Sequence, residues 1–157
     1  MNIPDTASLQ LLLEREEAQR DAIALTLRQA QDHLQRLQRQ MTQFAQHRAD
    51  YIARWQQQFQ QTGGIEIVQC YRSFTQRLDQ AVAQLSLQQR QAELNLQRQH
   101  HRLVEAEKRV AAIGKLISRR MQTHQRAEQR REQKHTDEAA QRAAWLSRQS
   151  HAVPAPG

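Results

Sequence analysis

A chain of 157 residues with 4 glycines, 3 prolines and 4% aromatic side chains, in which glutamine fills close to a fifth of all positions, has the composition of long helices. It excludes a strand-rich domain and a compact globule with a deep core. The formal charge of +7 at pH 7 is carried almost wholly by arginine, which suits either an acidic partner or a solvated helix face laced with Glu–Arg pairs.

The charge is uneven along the chain. Residues 1 to 60 balance seven acids against seven bases, whereas residues 61 to 120 hold ten bases against five acids, with the excess between Arg98 and Arg120. The single cysteine, Cys70, forms no internal disulfide and is expected to be a small buried or half-buried hydrophobe. No apolar run of about 18 residues and no signal-peptide pattern is present, so a cytoplasmic chain without membrane insertion is expected.

Pro4-Asp5-Thr6 reads as a helix start, with Asp5 or Thr6 as the cap of a first helix over about 6–60. Two rows recur every seven residues along it: Leu13, Arg20, Leu27, Leu34, Met41, Arg48, Trp55, and Leu9, Glu16, Ile23, Ala30, Leu37, Phe44, Tyr51. A seven-residue repeat held this long predicts a left-handed coiled coil, because a partner helix at 3.5 residues per turn keeps such a stripe buried. Thr62-Gly63-Gly64, within a turn over 61–65, then ends the helix through a left-handed glycine, and Glu66 favours a new helix start.

The second helix, over about 66–148, carries Val68, Thr75, Val82, Gln89, Leu96, Leu103, Val110, Ile117 on one row. Tyr71, Leu78, Leu85, Ala92, Gln99, Ala106, Ile113 form the other. A turn this short folds the helices back on each other, so the expected fold is all-α: a long antiparallel two-helix coiled-coil hairpin with an overhanging C-terminal helix. Facing residues then have numbers summing to about 125, and pairing runs out near residue 116. The stretch from Arg119 to Ser147 would project roughly 40 Å beyond it. Gly114 is either a soft point in the second helix or a site of close packing. Residues 1–149 form one domain, and 150–157 read as a disordered tail.

Catalytic chemistry finds no support. There is no phosphate-binding loop, and His100 and His101, adjacent on a helix, point about 100° apart and cannot share a metal. His124, His135 and His151 have no i,i+4 His or Cys partner. A two-helix hairpin encloses no pocket to exclude water, so no enzyme activity, no cofactor, no metal and no small-molecule substrate are expected. A basic nucleic-acid-binding coil remains an alternative. Acids at Glu128, Glu132, Asp137 and Glu138 among the bases argue against it.

One surface near the turn stands out. Gln40, Phe44, His47 and Tyr51 follow i, i+4, i+7, i+11 on the first helix, and Phe74, Leu78, Ala81 and Leu85 do so on the second. The pairs 40/85, 44/81, 47/78 and 51/74 each sum to 125, so the two sets mirror each other across the hairpin. Half of these positions lie outside the seam, which widens the apolar stripe. Either the core broadens here, or the residues form a partner-binding patch with aromatic anchors.

On several stretches the chain resembles the FliJ family of flagellar protein export components. These are the leucine-rich start at Leu9 to Glu17, the arm ending over Tyr51 to Gly64, and the re-entry Tyr71-Arg72-Ser73-Phe74 with Leu78 and Ala81 after it. The fourth is the run Asp137-Glu138-Ala139-Ala140-Gln141-Arg142-Ala143-Ala144. The resemblance implies a non-enzymatic, stalk-like hairpin in flagellum biogenesis and hence motility. Its expected partners are the hexameric export ATPase ring, the membrane export gate and export chaperones that it helps to recycle.

The implied localisation is cytoplasmic, with peripheral association at the inner membrane through the export apparatus. For the gate-facing surface, Gln40, Tyr51, Phe74, Leu78 and Ala81 match the family pattern and Phe44 keeps its apolar character. His47 stands where the family has an aromatic residue, and Leu85 where it has a histidine. Arg119, Arg120, Arg126, Arg130 and Arg131 are the candidate contacts to acidic loops of the ATPase. The equivalent stalk of a virulence-type secretion system is an alternative with the same architecture.

Overall fold

The computed structural model describes residues 6–61 and 64–152. It contains two helices, α1 (Ala7–Gln61, 55 residues) and α2 (Ile65–His151, 87 residues), packed against each other as a hairpin. At the start of α1 the Thr6 carbonyl accepts from the Gln10 amide at 2.8 Å, as the carbonyl of a capping residue does. Asp5 lies outside the described residues.

The turn differs from expectation in part. Thr62 and Gly63 lie outside the described residues, and Gly64 does not take a left-handed conformation. Gly64 instead caps the start of α2, its carbonyl accepting from the Ile67 and Val68 amides at 3.2 and 3.3 Å. Glu66 in the first turn and Arg148 and His151 in the last complement the helix dipole.

Residues 119–147 are not a separate overhanging helix, because α2 runs through them without a break. No glycine or proline falls between Lys115 and His151, and alanine, glutamine, arginine and glutamate dominate there, so nothing interrupts the i→i−4 ladder. Ser150 and His151 belong to the last turn of α2, and residues 153–157 of the expected tail lie outside those described. Hydroxyls at Thr123, Thr136 and Ser147 donate back to carbonyls one turn earlier, which satisfies these polar residues within the helix.

The helices divide into two compact units, Met1–Glu16 with Arg109–Gly157, and Glu17–Lys108. In the second unit the seam is one side chain deep. Ala30, Leu37, Ala92 and Ala106 are buried, and Ile23, Leu27, Leu34, Met41, Val82, Leu96 and Leu103 are half-buried. Three of the four buried residues are alanines, which suits close approach of the two backbones; Ala106 is 0% exposed.

Polar residues in the seam are matched: Arg48 pairs across the helices with Asp79 at 2.9 Å, and Gln89 and Gln99 bond to side chains of α2 itself. Such exposed pairs contribute at most about 1 kcal/mol each, so they adjust the register more than they hold the fold. Cys70 is exposed, contrary to the expectation of a buried or half-buried residue, because it falls between the half-buried Ile67 and Tyr71; Val68, expected in the seam, is also exposed, at 38%.

In the first unit, Leu9 and Leu13 of α1 and Val110, Ile113 and Ile117 of α2 are half-buried. Glu16 meets Arg109 at 3.3 Å, a pair whose numbers sum to the 125 that the turn position requires. A Cβ added at Gly114 would meet nothing within 4 Å, so close packing does not explain this glycine. Gly114→Ala is therefore expected to stabilise the protein by up to about 1 kcal/mol, the difference in helix propensity. Thermal denaturation checks this through a rise of about 2–4 °C in Tm.

Candidate docking groove and basic helix face

The chain has two Trp, two Tyr and three Phe, and five of these join one cluster in the second unit. Successive four-residue steps set Tyr51, Trp55 and Phe59 about one turn apart on α1, with ring centroids 5.7 and 5.6 Å apart along the helix. From α2, Tyr71 approaches Trp55 at 5.7 Å and Phe59 at 5.4 Å, and Phe74 lies 3.9 Å from Tyr51. Each such pair contributes about 0.5–1.5 kcal/mol beyond the area it buries. The cluster is thus both a structural clamp and the wall of a surface feature.

That feature is a groove of about 190 Å³ lined by His47, Asp50, Tyr51, Arg54, Phe74 and Leu78. Phe74 is 38% exposed and Tyr51 and Leu78 are half-buried, so aromatic and aliphatic surface remains accessible there. Of the eight patch residues expected from sequence, His47, Tyr51, Phe74 and Leu78 line the groove. Gln40, Phe44, Ala81 and Leu85 do not line it. Gln40 is exposed, and the other three are half-buried at or beside the seam.

Sequence inspection missed Asp50 and Arg54. The signal was present in their spacing, because Asp50 follows His47 by three residues and Arg54 follows it by seven, on the face that carries Tyr51. Trp55 and Tyr71 are seam positions by their spacing and Phe59 stands beside the seam, but spacing alone does not show that their rings cluster. Only contact across the turn reveals that.

The arginines Arg119, Arg120, Arg126, Arg130 and Arg131 all lie on α2 in the first unit and are exposed. Arg119, Arg126 and Arg130 follow i, i+7, i+11 and share one face, while Arg120 and Arg131 form a second row about 100° around the helix. His124 and Glu128 approach at 3.5 Å among them. From Arg119 onward the described side chains other than His124 and Glu138 are exposed, including Trp145 at 59% and Leu146 at 61%.

Among the described residues, no cluster of His, Cys, Asp and Glu is placed to hold a metal ion. No described helix is long and apolar enough to cross a membrane.

Comparison with protein families matches residues 5–149 to the model described as the flagellar FliJ protein. Comparison with curated proteins and with solved structures gave no match. The family match spans nearly the whole chain and agrees with the paired heptad helices found here. The chain therefore belongs to the FliJ family, a non-catalytic component of flagellar protein export.

Proposed function

We infer that this protein works as a cytoplasmic adapter of the flagellar export apparatus: it binds the export ATPase ring through the basic face of α2, binds the membrane export gate through the groove, and assists recycling of export chaperones. The observation that carries this reading is the accessible aromatic groove in a chain of this family. A family of non-catalytic export components acts through its surfaces, and this surface combines aromatic anchors, a partly covered apolar floor and charges at the rim.

The exposed arginines support the ATPase contact by their chemistry. A row of guanidinium groups at i, i+7, i+11 presents repeated bidentate donors to carboxylates and steers encounter with an acidic surface. Without a membrane-crossing helix among the described residues, association with the inner membrane would run through the gate.

The ATPase contact is tested by reversing Arg119, Arg126 and Arg130 to Glu in the full-length chain. Co-purification of the ATPase is expected to fall by about tenfold or more at low salt, with helicity unchanged. Unchanged co-purification and unchanged stimulation of ATP hydrolysis would show that the ATPase binds elsewhere.

A further inference from the structure

Asp50 and Arg54 line the groove without the ion pair that their spacing favours. They stand one turn apart on α1 with the acid first, the order in which an i,i+4 pair is stabilising. Nearby, Arg48 is engaged with Asp79 at 2.9 Å. Both Asp50 and Arg54 are exposed, and neither has an ion-pair or hydrogen-bond partner among the described residues. Two opposite charges therefore stand open on the rim of an apolar notch formed with Tyr51, Phe74 and Leu78.

We propose that Asp50 and Arg54 determine the specificity of this groove. Its occupant is a protein segment that seats one apolar side chain against Tyr51, Phe74 and Leu78. It presents a carboxylate to Arg54 and an ammonium or guanidinium group to Asp50. The inference rests on the reading of the groove as the export-gate surface and adds the chemistry of the partner.

Three features select this occupant. A volume of about 190 Å³ fits a side chain or two but falls below the few hundred Å³ of small-molecule sites. An open carboxylate among the lining groups repels phosphate, which disfavours nucleic acid or an anionic lipid surface. Charges of both signs reject surfaces of a single sign, since an all-acidic partner meets Asp50 and an all-basic one meets Arg54. The guanidinium also offers a planar fork that matches a carboxylate in two hydrogen bonds, a geometry that lysine lacks.

The test measures association of the full-length chain with the soluble domain of the export-gate protein at low and high salt, for the native chain, Asp50→Lys, Arg54→Glu and Arg54→Lys. Each reversal is expected to weaken binding about tenfold or more at low salt, mainly through a slower on-rate, and the deficit is expected to shrink as salt rises. Arg54→Lys keeps the charge and is expected to retain most of the on-rate. Lysine and glutamate are good helix formers at exposed positions, so folding is preserved in all three variants.

Tighter binding by Asp50→Lys would mean that the groove seeks only negative charge, which overturns the two-sign partner while leaving the gate-binding reading standing. Loss of binding on truncating Tyr51 and Phe74, with no effect of either reversal, overturns it in the same way. Failure of the native chain to bind the gate domain at all overturns both.

Discussion

Trp55→Ala is expected to lower the melting temperature by about 5–10 °C, measured by far-UV circular dichroism on the full-length chain. Trp55 occupies a seam position, is half-buried, and lies within 5.7 Å of three other rings, those of Tyr51, Phe59 and Tyr71. Truncation removes its buried area and all three ring contacts at once. A fully buried tryptophan costs about 3–5 kcal/mol on truncation, and half-burial places this one near 2–3 kcal/mol. In a chain of this size each kcal/mol corresponds to about 2–4 °C.

The second tryptophan supplies the control. Trp145 is 59% exposed and has no ring neighbour among the described residues. Trp145→Ala is expected to change stability by no more than about 0.5 kcal/mol. Equal losses at the two sites would show that the ring cluster contributes nothing beyond helix propensity.

Tyr51→Ala combined with Phe74→Ala is expected to reduce affinity for the export-gate domain about a hundredfold while most of the helicity survives. Aromatic anchors in partly desolvated notches commonly carry 2 kcal/mol or more of binding each, and a factor of 100 corresponds to about 2.7 kcal/mol. The structure adds a stability cost, because the two rings lie 3.9 Å apart and support one another. The double variant should nevertheless cost less than the sum of its singles, since the first truncation already removes the shared contact. Isothermal titration calorimetry below the melting temperature of the variant separates the effects. Unchanged affinity with a lowered Tm would assign these rings to the core alone.

Much of the architecture was legible in the sequence because heptad spacing depends only on local periodicity. Every seam residue expected on α1 is buried or half-buried except Arg48, and that arginine reaches Asp79 on the facing helix. Pairing of helices followed from the turn position, and the observed pairs Glu16–Arg109 and Tyr51–Phe74 fit the sum of 125. Residue type alone does not predict the exposed thiol of Cys70, whose position on α2 between the half-buried Ile67 and Tyr71 turns it away from the seam.

The groove was only half legible for a related reason. Helical spacing identifies residues on one face, but a concavity depends on side-chain bulk contributed by both helices. Phe44, Ala81 and Leu85 satisfy the spacing and yet do not line the groove, whereas Asp50 and Arg54, charged residues outside the apolar pattern, do. α2 runs on beyond Arg119 as far as His151. The heptad pattern loses its apolar content there, but helix propensity does not fall with it.

An adapter role is tested most directly by capturing the full-length chain from lysate of flagellated cells, with and without nuclease, and identifying what is retained. Recovery of the hexameric export ATPase, undiminished by nuclease, is the expected result. Retention of nucleic acid in place of the ATPase, with all protein partners lost on nuclease treatment, would contradict it.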